Sequence, residues 1–551
     1  MATELDRRFD ETLAAVTGPG GRLVIGSDEQ GRAIVTNLPP TLPGLFRAFS
    51  ELNGDKEAVV AGDERLTFAD LDRISERVAQ GLVERGIAKG DRVGIAMRNC
   101  PAWIVSYMGI IKAGAVATLL NGWWEPLEME HAVLLADPKL IIADPARAKR
   151  LSARCSDRDI LSLPIELPVE QAVTELLGTG SGELPEVLPE DDATILFTSG
   201  STGESKGAVS THRAVTTATY AYATGLMVLL GILTTEGRAP SAQPRTLLSV
   251  PLFHVTGEVP VMINSFVIGR CMVIMPKWDA TEALRLIEKE KITYFVGVPT
   301  MSLELMNHPD RSKYDLSSLT DITAGGAPRP ISHVERLRDE FPNAQPALGY
   351  GLTETNAAGC ANYWGNYAAK PASTGRAQKP FIDLAILGAG DSHLGVGEVG
   401  EIAIRSAANI RSYWRNPEAT KALFTDDGYI RTGDVGYVDE DGYLFIVDRK
   451  KEIIIRGGEN ISAAEVEAEC YACPDVAEIA VFGAPDERLG EVPIAVVHTK
   501  NGLSEQDLRS FLEERIAKFK IPARFIFSAE PLPRLGTGKI DRRALKAQYA
   551  S

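Results

Sequence analysis

Cysteine is scarce in this chain, six residues in 551, at positions 100, 155, 271, 360, 470 and 473. That is too few for a disulfide framework. Cys470 and Cys473 form a CxxC, but it falls late in an acidic helical pattern over 463–473 and not at the strand-to-helix turn of a redox motif. The seven histidines are dispersed, none with a second ligand at zinc-site spacing. Basic residues are the minority, 58 against 74 acidic, and the formal charge of −16 repels a phosphodiester backbone. Nucleic acid is therefore not an expected partner. A small polyanion remains open, because backbone N–H groups with one or two lysines hold phosphate whatever the global charge.

Long hydrophobic runs are also missing. The most apolar stretch, 102–120, carries Lys112 and two glycines and reads as a buried helix turning into a strand, so no transmembrane segment is expected. The opening MATELDRRFDE lacks the apolar stretch of a secretory signal, and the closing AQYAS is no receptor-read address. A cytoplasmic protein is expected. Internal repeats and low-complexity tracts are absent, and at one domain per roughly 150 residues the length allows three or four units.

What is present is helix followed by strand. Over 68–86 the residues Leu71, Ile74, Val78 and Leu82 fall at helical spacing, Gly86 ends the run, and 92–97 reads as a strand. The alternation recurs at 102–120, 282–296 and 331–348, and predicts an α/β fold of mostly parallel sheets flanked by helices. From about 380 short strands and tight turns take over, including a hairpin around 439–442, which predicts a β-rich subdomain over about 380–450. Strands at 477–482, 494–498 and 524–527, with a helix carrying Leu508, Phe511, Leu512 and Ile516, predict a small separate α+β unit. The expected division is 1–450 and 451–551.

The sharpest local feature is Thr198-Ser199-Gly200-Ser201-Thr202-Gly203-Glu204-Ser205-Lys206-Gly207, between a strand at 194–197 and a helical stretch. Small hydroxyl residues and glycines let a backbone wrap phosphate oxygens, and Lys206 adds charge. Neither the Walker A spacing nor the GxSxG or SxxK of serine hydrolases is present. Further along stand Pro251-Leu252-Phe253-His254, Gly325-Gly326-Ala327-Pro328, Gly349-Tyr350-Gly351-Leu352-Thr353-Glu354, Thr432-Gly433-Asp434, Asp448-Arg449-Lys450-Lys451-Glu452, Gly457-Gly458-Glu459-Asn460 and Gly536-Thr537-Gly538-Lys539. In order and spacing, from about residue 45 to the end, these motifs resemble those of the adenylate-forming superfamily, which includes acyl-CoA synthetases, luciferases and peptide-synthetase adenylation domains.

Each motif also suits activation of a carboxylate by ATP. Tyr350 can stack on adenine while Gly325, Gly326 and Ala327 line the other face. Glu354 offers a hard oxygen to a Mg²⁺ held mainly by triphosphate, and Thr353 a hydroxyl to the α-phosphate. Asp434 and Arg449 suit the ribose hydroxyls, although a surface ion pair is the plainer account of both. The resemblance implies that Lys539 bridges the carboxylate and α-phosphate during adenylation, alongside Lys206, and that a thiol then displaces AMP. It further implies a rotation of the C-terminal domain about a hinge at Lys451, so that Gly457, Gly458 and Asn460 replace Lys539 at the site. Lys451 could equally be one charge in a solvated turn.

Amino-acid-activating relatives carry an aspartate in the segment matching 251–257, and this chain has none there. A hydrophobic acid, fatty or aryl, is the expected substrate, with Tyr220, His254, Val255, Gly351 and Asn356 lining its pocket. His254 matches the aromatic position between acyl pocket and thiol tunnel. Lys518, Lys520 and Arg524 form a basic cluster suited to coenzyme A, although Ile455, Ile521 and Ala523 stand where some CoA-using relatives have basic residues. The expected cofactors are ATP, Mg²⁺ and coenzyme A, with a homodimer possible. The alternative acceptor is a carrier protein or an amine.

Overall fold

The computed structural model describes all residues except 1, 2, 181, 199–204, 327, 328, 450, 451, 457, 458, 487, 501, 536, 537 and 551, and the side chains of 459 and 460. Helix and strand alternate where the apolar spacing predicts. The helix Phe68–Glu84 is capped by Thr67 and Asp70 and buries Leu71, Ile74, Val78 and Leu82. The segment 102–120 divides into a buried helix, Pro101–Lys112, and a strand, Val116–Leu119. Among the described residues the chain forms a mixed α/β fold with two large sheets, a smaller third and a two-stranded ribbon, Ile25–Ser27 with Ala33–Val35.

Thirteen strands among the described residues make up the largest sheet. From Glu57–Ala61 through Cys271–Ile274, Arg245–Leu248, Tyr294–Gly297 and Asp321–Gly325 to Gln345–Gly351 its strands run parallel. Beyond that point the pairing turns antiparallel, through Gly359–Tyr363, Gly375–Ala377, Tyr443–Arg449, Ile430–Val438 and Gly400–Arg405 to Asp383–Leu387. Most strands of the predicted β-rich region are thus a continuation of the parallel sheet, while Ser412–Tyr413 joins the second large sheet.

In the second large sheet, Val116–Leu119, Arg92–Ala96, Leu140–Ala143 and Ile160–Ser162 run parallel to Asp192–Thr198. Lys206–Thr211 then pairs antiparallel with Asp192–Thr198, Lys206 opposite Thr198. This corrects one expectation: the hydroxyl-rich segment joins two strands of a hairpin, and the helix starts only at His212. That helix, His212–Thr235, is the one among the described residues long and apolar enough to span a membrane, and 67% of its most apolar stretch is buried inside the protein.

The last strand of the great sheet ends at Arg449, and Ile454–Arg456 begins a separate five-stranded sheet with its own helices and core. Cys470 and Cys473 are free thiols packed in that core, where burial pushes the Cys470 thiol above its usual range. Core packing accounts for the CxxC.

An N-terminal helix, Glu4–Thr17, lies across the back of the great sheet and the His212–Thr235 helix. Its Asp6 is 2% exposed. The Asp6 carboxylate accepts from the Tyr443 hydroxyl at 2.7 Å, Asn366 Nδ2 at 2.9 Å, Arg376 at 3.3 Å and the Thr3 N–H at 2.9 Å. Asp6→Ala leaves two buried donors unpaired at about 1–3 kcal/mol each. A fall of about 2–4 kcal/mol is expected in denaturant melts, with Asp6→Asn in between; an unchanged midpoint would show that the helix docks by apolar contact alone.

Candidate active site

Ligands of open α/β sheets bind beyond the carboxyl ends of the parallel strands, where no side chain of the sheet blocks approach. Three segments singled out by sequence end there. Thr198 closes Asp192–Thr198, Gly325 closes Asp321–Gly325, and Gly349-Tyr350-Gly351 closes the adjacent Gln345–Gly351, with Gly325 paired to Gly349. All of them, with Gly326, Lys206, Thr353, Glu354, Asp434, Arg449 and Lys539, line one cleft of about 3080 Å³ between the large sheets and the C-terminal unit. Residues 199–203 and Ala327 lie outside the described residues.

The glycines are there for space. A Cβ on Gly351 would lie 2.0 Å from the Ala357 carbonyl oxygen, so the turn carrying Thr353 and Glu354 can fold back only over a bare backbone. Gly326 has a φ of +75°, and a Cβ there would come within 3.3 Å of Lys539 Cε and 3.5 Å of its Nζ. The C-terminal unit therefore brings Lys539 against the loop at the end of Asp321–Gly325.

Asp434 and Arg449 face each other across paired strands. Asp434 is 4% exposed, and its two oxygens accept from Arg449 Nε at 3.0 Å and from the Tyr350 hydroxyl at 2.7 Å. This fixes the Tyr350 ring in the cleft wall and keeps the Arg449 guanidinium at the cleft edge. Glu354 Oε1 accepts from the Tyr413 hydroxyl at 2.7 Å, and Lys206 Nζ lies 4.9 Å above the centre of the same ring. Tyr413 was not singled out from sequence: no motif marks it, and only the pairing of Ser412–Tyr413 with Lys206–Thr211 brings it here.

Burial lowers the Lys539 amine to about 8, aided by the Arg449 charge and opposed by Asp434. Burial likewise lowers His254 to about 4, with the Lys539 charge adding to the effect, so the imidazole is neutral at physiological pH. Its Nδ1 accepts from the Thr256 N–H at 3.3 Å. Lysine and histidine thus share one site although 285 positions separate them in sequence.

Not every predicted residue is brought to the cleft. Tyr220 faces away, donating to the Pro39 carbonyl at 2.7 Å, and Tyr222 takes the wall position in its place. Asn356 is buried in a left-handed turn, accepting from Ser210 at 3.0 Å and donating to the Ala408 carbonyl at 2.8 Å, so it shapes the loop without lining the pocket. Of the basic cluster, Lys520 is paired with Glu465 at 2.6 Å, Arg524 donates to the Tyr549 carbonyl, Lys518 is exposed, and none of the three lines the cleft. The face of the C-terminal unit that meets the cleft is the one carrying Lys539. Lys451, Gly457, Gly458 and the Asn460 side chain lie outside the described residues. His254, Val255 and Gly351 do line the cleft.

Backbone turns at strand ends, a buried carboxylate holding a tyrosine and an arginine, and a lysine delivered from a second unit define a nucleotide-binding cleft of the adenylate-forming class. Comparison with known proteins agrees. Residues 46–414 match the family of AMP-binding enzymes and residues 465–539 match the AMP-binding enzyme C-terminal domain. A long-chain-fatty-acid–CoA ligase of Mycobacterium tuberculosis is 34% identical over 89% of this chain and 94% of its own length. A feruloyl-CoA synthase of Amycolatopsis sp is 33% identical over 89% and 96%. The crystal structure of ATP-bound MatB from Rhodopseudomonas palustris superposes with a TM-score of 0.81 at 28% identity, covering 92% of this chain and 99% of that one. The chain belongs to the AMP-binding enzymes, among the AMP-forming acyl-CoA synthetases.

Asp434→Ala removes the shared acceptor of Tyr350 and Arg449. Calorimetric titration with a non-hydrolysable ATP analogue should show affinity lowered tenfold or more, and unchanged affinity would remove Asp434 from the nucleotide site.

Proposed function

We propose that this protein activates a hydrophobic carboxylic acid with ATP and Mg²⁺ as an acyl-adenylate, and passes the acyl group to coenzyme A after its C-terminal unit turns about the segment at Lys451. The observation that carries this reading is Lys539 beside Gly326, a cation supplied by one unit to the phosphate side of a cleft built by the other. A fixed positive charge at that point stabilises the charge that develops as pyrophosphate leaves. Thr198, Lys206 and Thr353 would hold phosphate oxygens, Asp434 and Arg449 the ribose, and Tyr350 the adenine.

Glu354 is the residue suited to Mg²⁺. Among the described residues only Tyr413 donates to its carboxylate, through Oε1, which leaves the second oxygen for a hard cation. Bound there, Mg²⁺ would neutralise triphosphate charge. The neutral His254, at the position between acyl pocket and thiol tunnel, would meet the carboxylate without adding a second charge beside Lys539.

The two steps place opposite demands on one surface. Adenylation needs Lys539 in the cleft; thiol attack needs an open approach, which the Gly457–Gly458 loop and Asn460 would supply in a second pose. Lys539→Ala is expected to abolish pyrophosphate exchange and spare thioester formation from supplied acyl-adenylate, while Lys451→Pro blocks the second step. Equal loss of both steps in each variant would sink the two-pose account.

A pH profile tests the lysine directly. Its amine, lowered to about 8, is charged below that pH and neutral above it, so kcat/KM for adenylation should fall on the alkaline side with a midpoint near 8. Lys539→Arg, charged throughout, should flatten that limb whatever its absolute rate. The acceptor is tested by following products by mass over a panel of acids with and without coenzyme A. Thioester plus AMP supports the ligase, whereas adenylate untouched by coenzyme A points to a carrier protein or amine.

A further inference from the structure

The lining of the cleft includes, besides His254 and Val255, the residues Tyr222, Pro260, Tyr294, Thr323 and Ala357. Two of these are locked in place. The Tyr222 hydroxyl donates to the Ala357 carbonyl at 2.5 Å, tying the His212–Thr235 helix to the loop that follows Gly351. The Tyr294 ring lies against the Arg270 guanidinium, whose Cζ is 4.8 Å from the ring centre. Arg270 is itself 2% exposed and donates to Ser265 Oγ at 2.9 Å and to the Pro260 and Val261 carbonyls at 3.0 and 3.1 Å. Neither ring can swing aside without breaking buried hydrogen bonds or a buried cation–π contact.

Behind Tyr222 stands a further ring. One turn along the helix from Tyr222, Gly225 leaves the space into which Tyr363 projects, since a Cβ there would meet the Tyr363 hydroxyl at 2.8 Å. On its other side Tyr363 stacks on Phe9, with centroids 5.9 Å apart and planes at 19°. Phe9 belongs to the N-terminal helix, outside the residues 46–414 that match the family. The helix is held one turn earlier by the buried Asp6.

We infer that Tyr222, Tyr294 and Tyr363, backed by Phe9, set the acyl specificity of this enzyme by closing the pocket at about the length of one ring system. The substrate class is a compact aryl or arylalkyl carboxylic acid, and long unbranched chains are excluded. The inference rests on the ligase reading and narrows it. Tyr222 is the specificity-determining residue, because its side chain lines the cleft and its hydroxyl ties the helix to the loop after Gly351. Phe9 acts one layer further out.

The test uses the full chain with ATP, Mg²⁺ and coenzyme A, and compares kcat/KM for benzoate, phenylacetate and cinnamate with hexanoate, dodecanoate and hexadecanoate. At least one ring-sized acid is expected to exceed dodecanoate a hundredfold. Tyr222→Ala should narrow that ratio tenfold or more through a lower KM for dodecanoate, and adding Phe9→Ala should extend the accepted length further. Tyr222→Leu, which keeps apolar volume in the helix, is expected to shift the ratio in the same direction by a smaller factor, and serves if the alanine variant does not fold. Dodecanoate or hexadecanoate used as well as the ring acids by the unaltered enzyme, or an equal loss on every acid in both Tyr222 variants, would overturn the inference and leave the ligase reading intact. Thioester from none of the acids would overturn the ligase reading itself.

Discussion

A carboxylate taken out of water must find donors for its lone pairs, and Asp434 finds them in two places that the chain has to bring together. One is Tyr350, on the last parallel strand of the great sheet; the other is Arg449, at the end of the last strand before the C-terminal unit. Satisfying this one buried charge therefore sets the angle of the tyrosine ring, the height of the arginine and the point from which the C-terminal unit departs. Lys539 feels the same pair, its proton held less firmly because of Arg449 and more firmly because of Asp434. Cleft wall and inter-unit geometry are consequences of one interaction.

The electrostatics of the site run against those of the molecule. In a chain of net charge −16, Lys206, Arg449 and Lys539 all reach a single cleft, and the nearby histidine is kept uncharged by burial and by the lysine. Cations placed at one point of a cleft act on a bound polyanion at short range, so the site does not depend on the overall charge. The neutral histidine leaves the positive field centred on the phosphate side, and the other end of the cleft is apolar and aromatic. One elongated ligand with an anionic head and a hydrophobic tail matches both ends.

Most of this was legible in the residues because the constraints are local. Glycines at strand ends, the hydroxyl-rich segment, and the Thr-Gly-Asp and Asp-Arg-Lys motifs sit close to strands whose apolar spacing is plain, and the resemblance of their order and spacing to the adenylate-forming superfamily implies that they meet, although they come from two different sheets. Which tyrosine of the helix His212–Thr235 faces the cleft is not legible in its spacing, because the helix is buried over most of its circumference and gives periodicity little to phase. The sequence places Asn356 just after Thr353 and Glu354 but does not show the left-handed turn that sends its amide inward to Ser210 and Ala408. Tyr413, Arg270 and Phe9 carried no local signal. Each acts through a partner more than 20 positions away, at Glu354, Tyr294 and Tyr363, and such contacts are decided by topology.

The bond between Asp6 and Tyr443 spans 437 positions of the chain. Loop-closure entropy grows only slowly with length, so the bond is no weaker for its reach, but it cannot form until nearly everything between its ends has folded. The N-terminal helix must wait for the antiparallel half of the great sheet, which supplies Tyr443 and Arg376, and for Asn366 from the helix between its strands. A chain stalled before the strand Tyr443–Arg449 would hold that helix loose, with an unburied aromatic residue and an open rear to its pocket, in a form that quality control can distinguish from the finished enzyme.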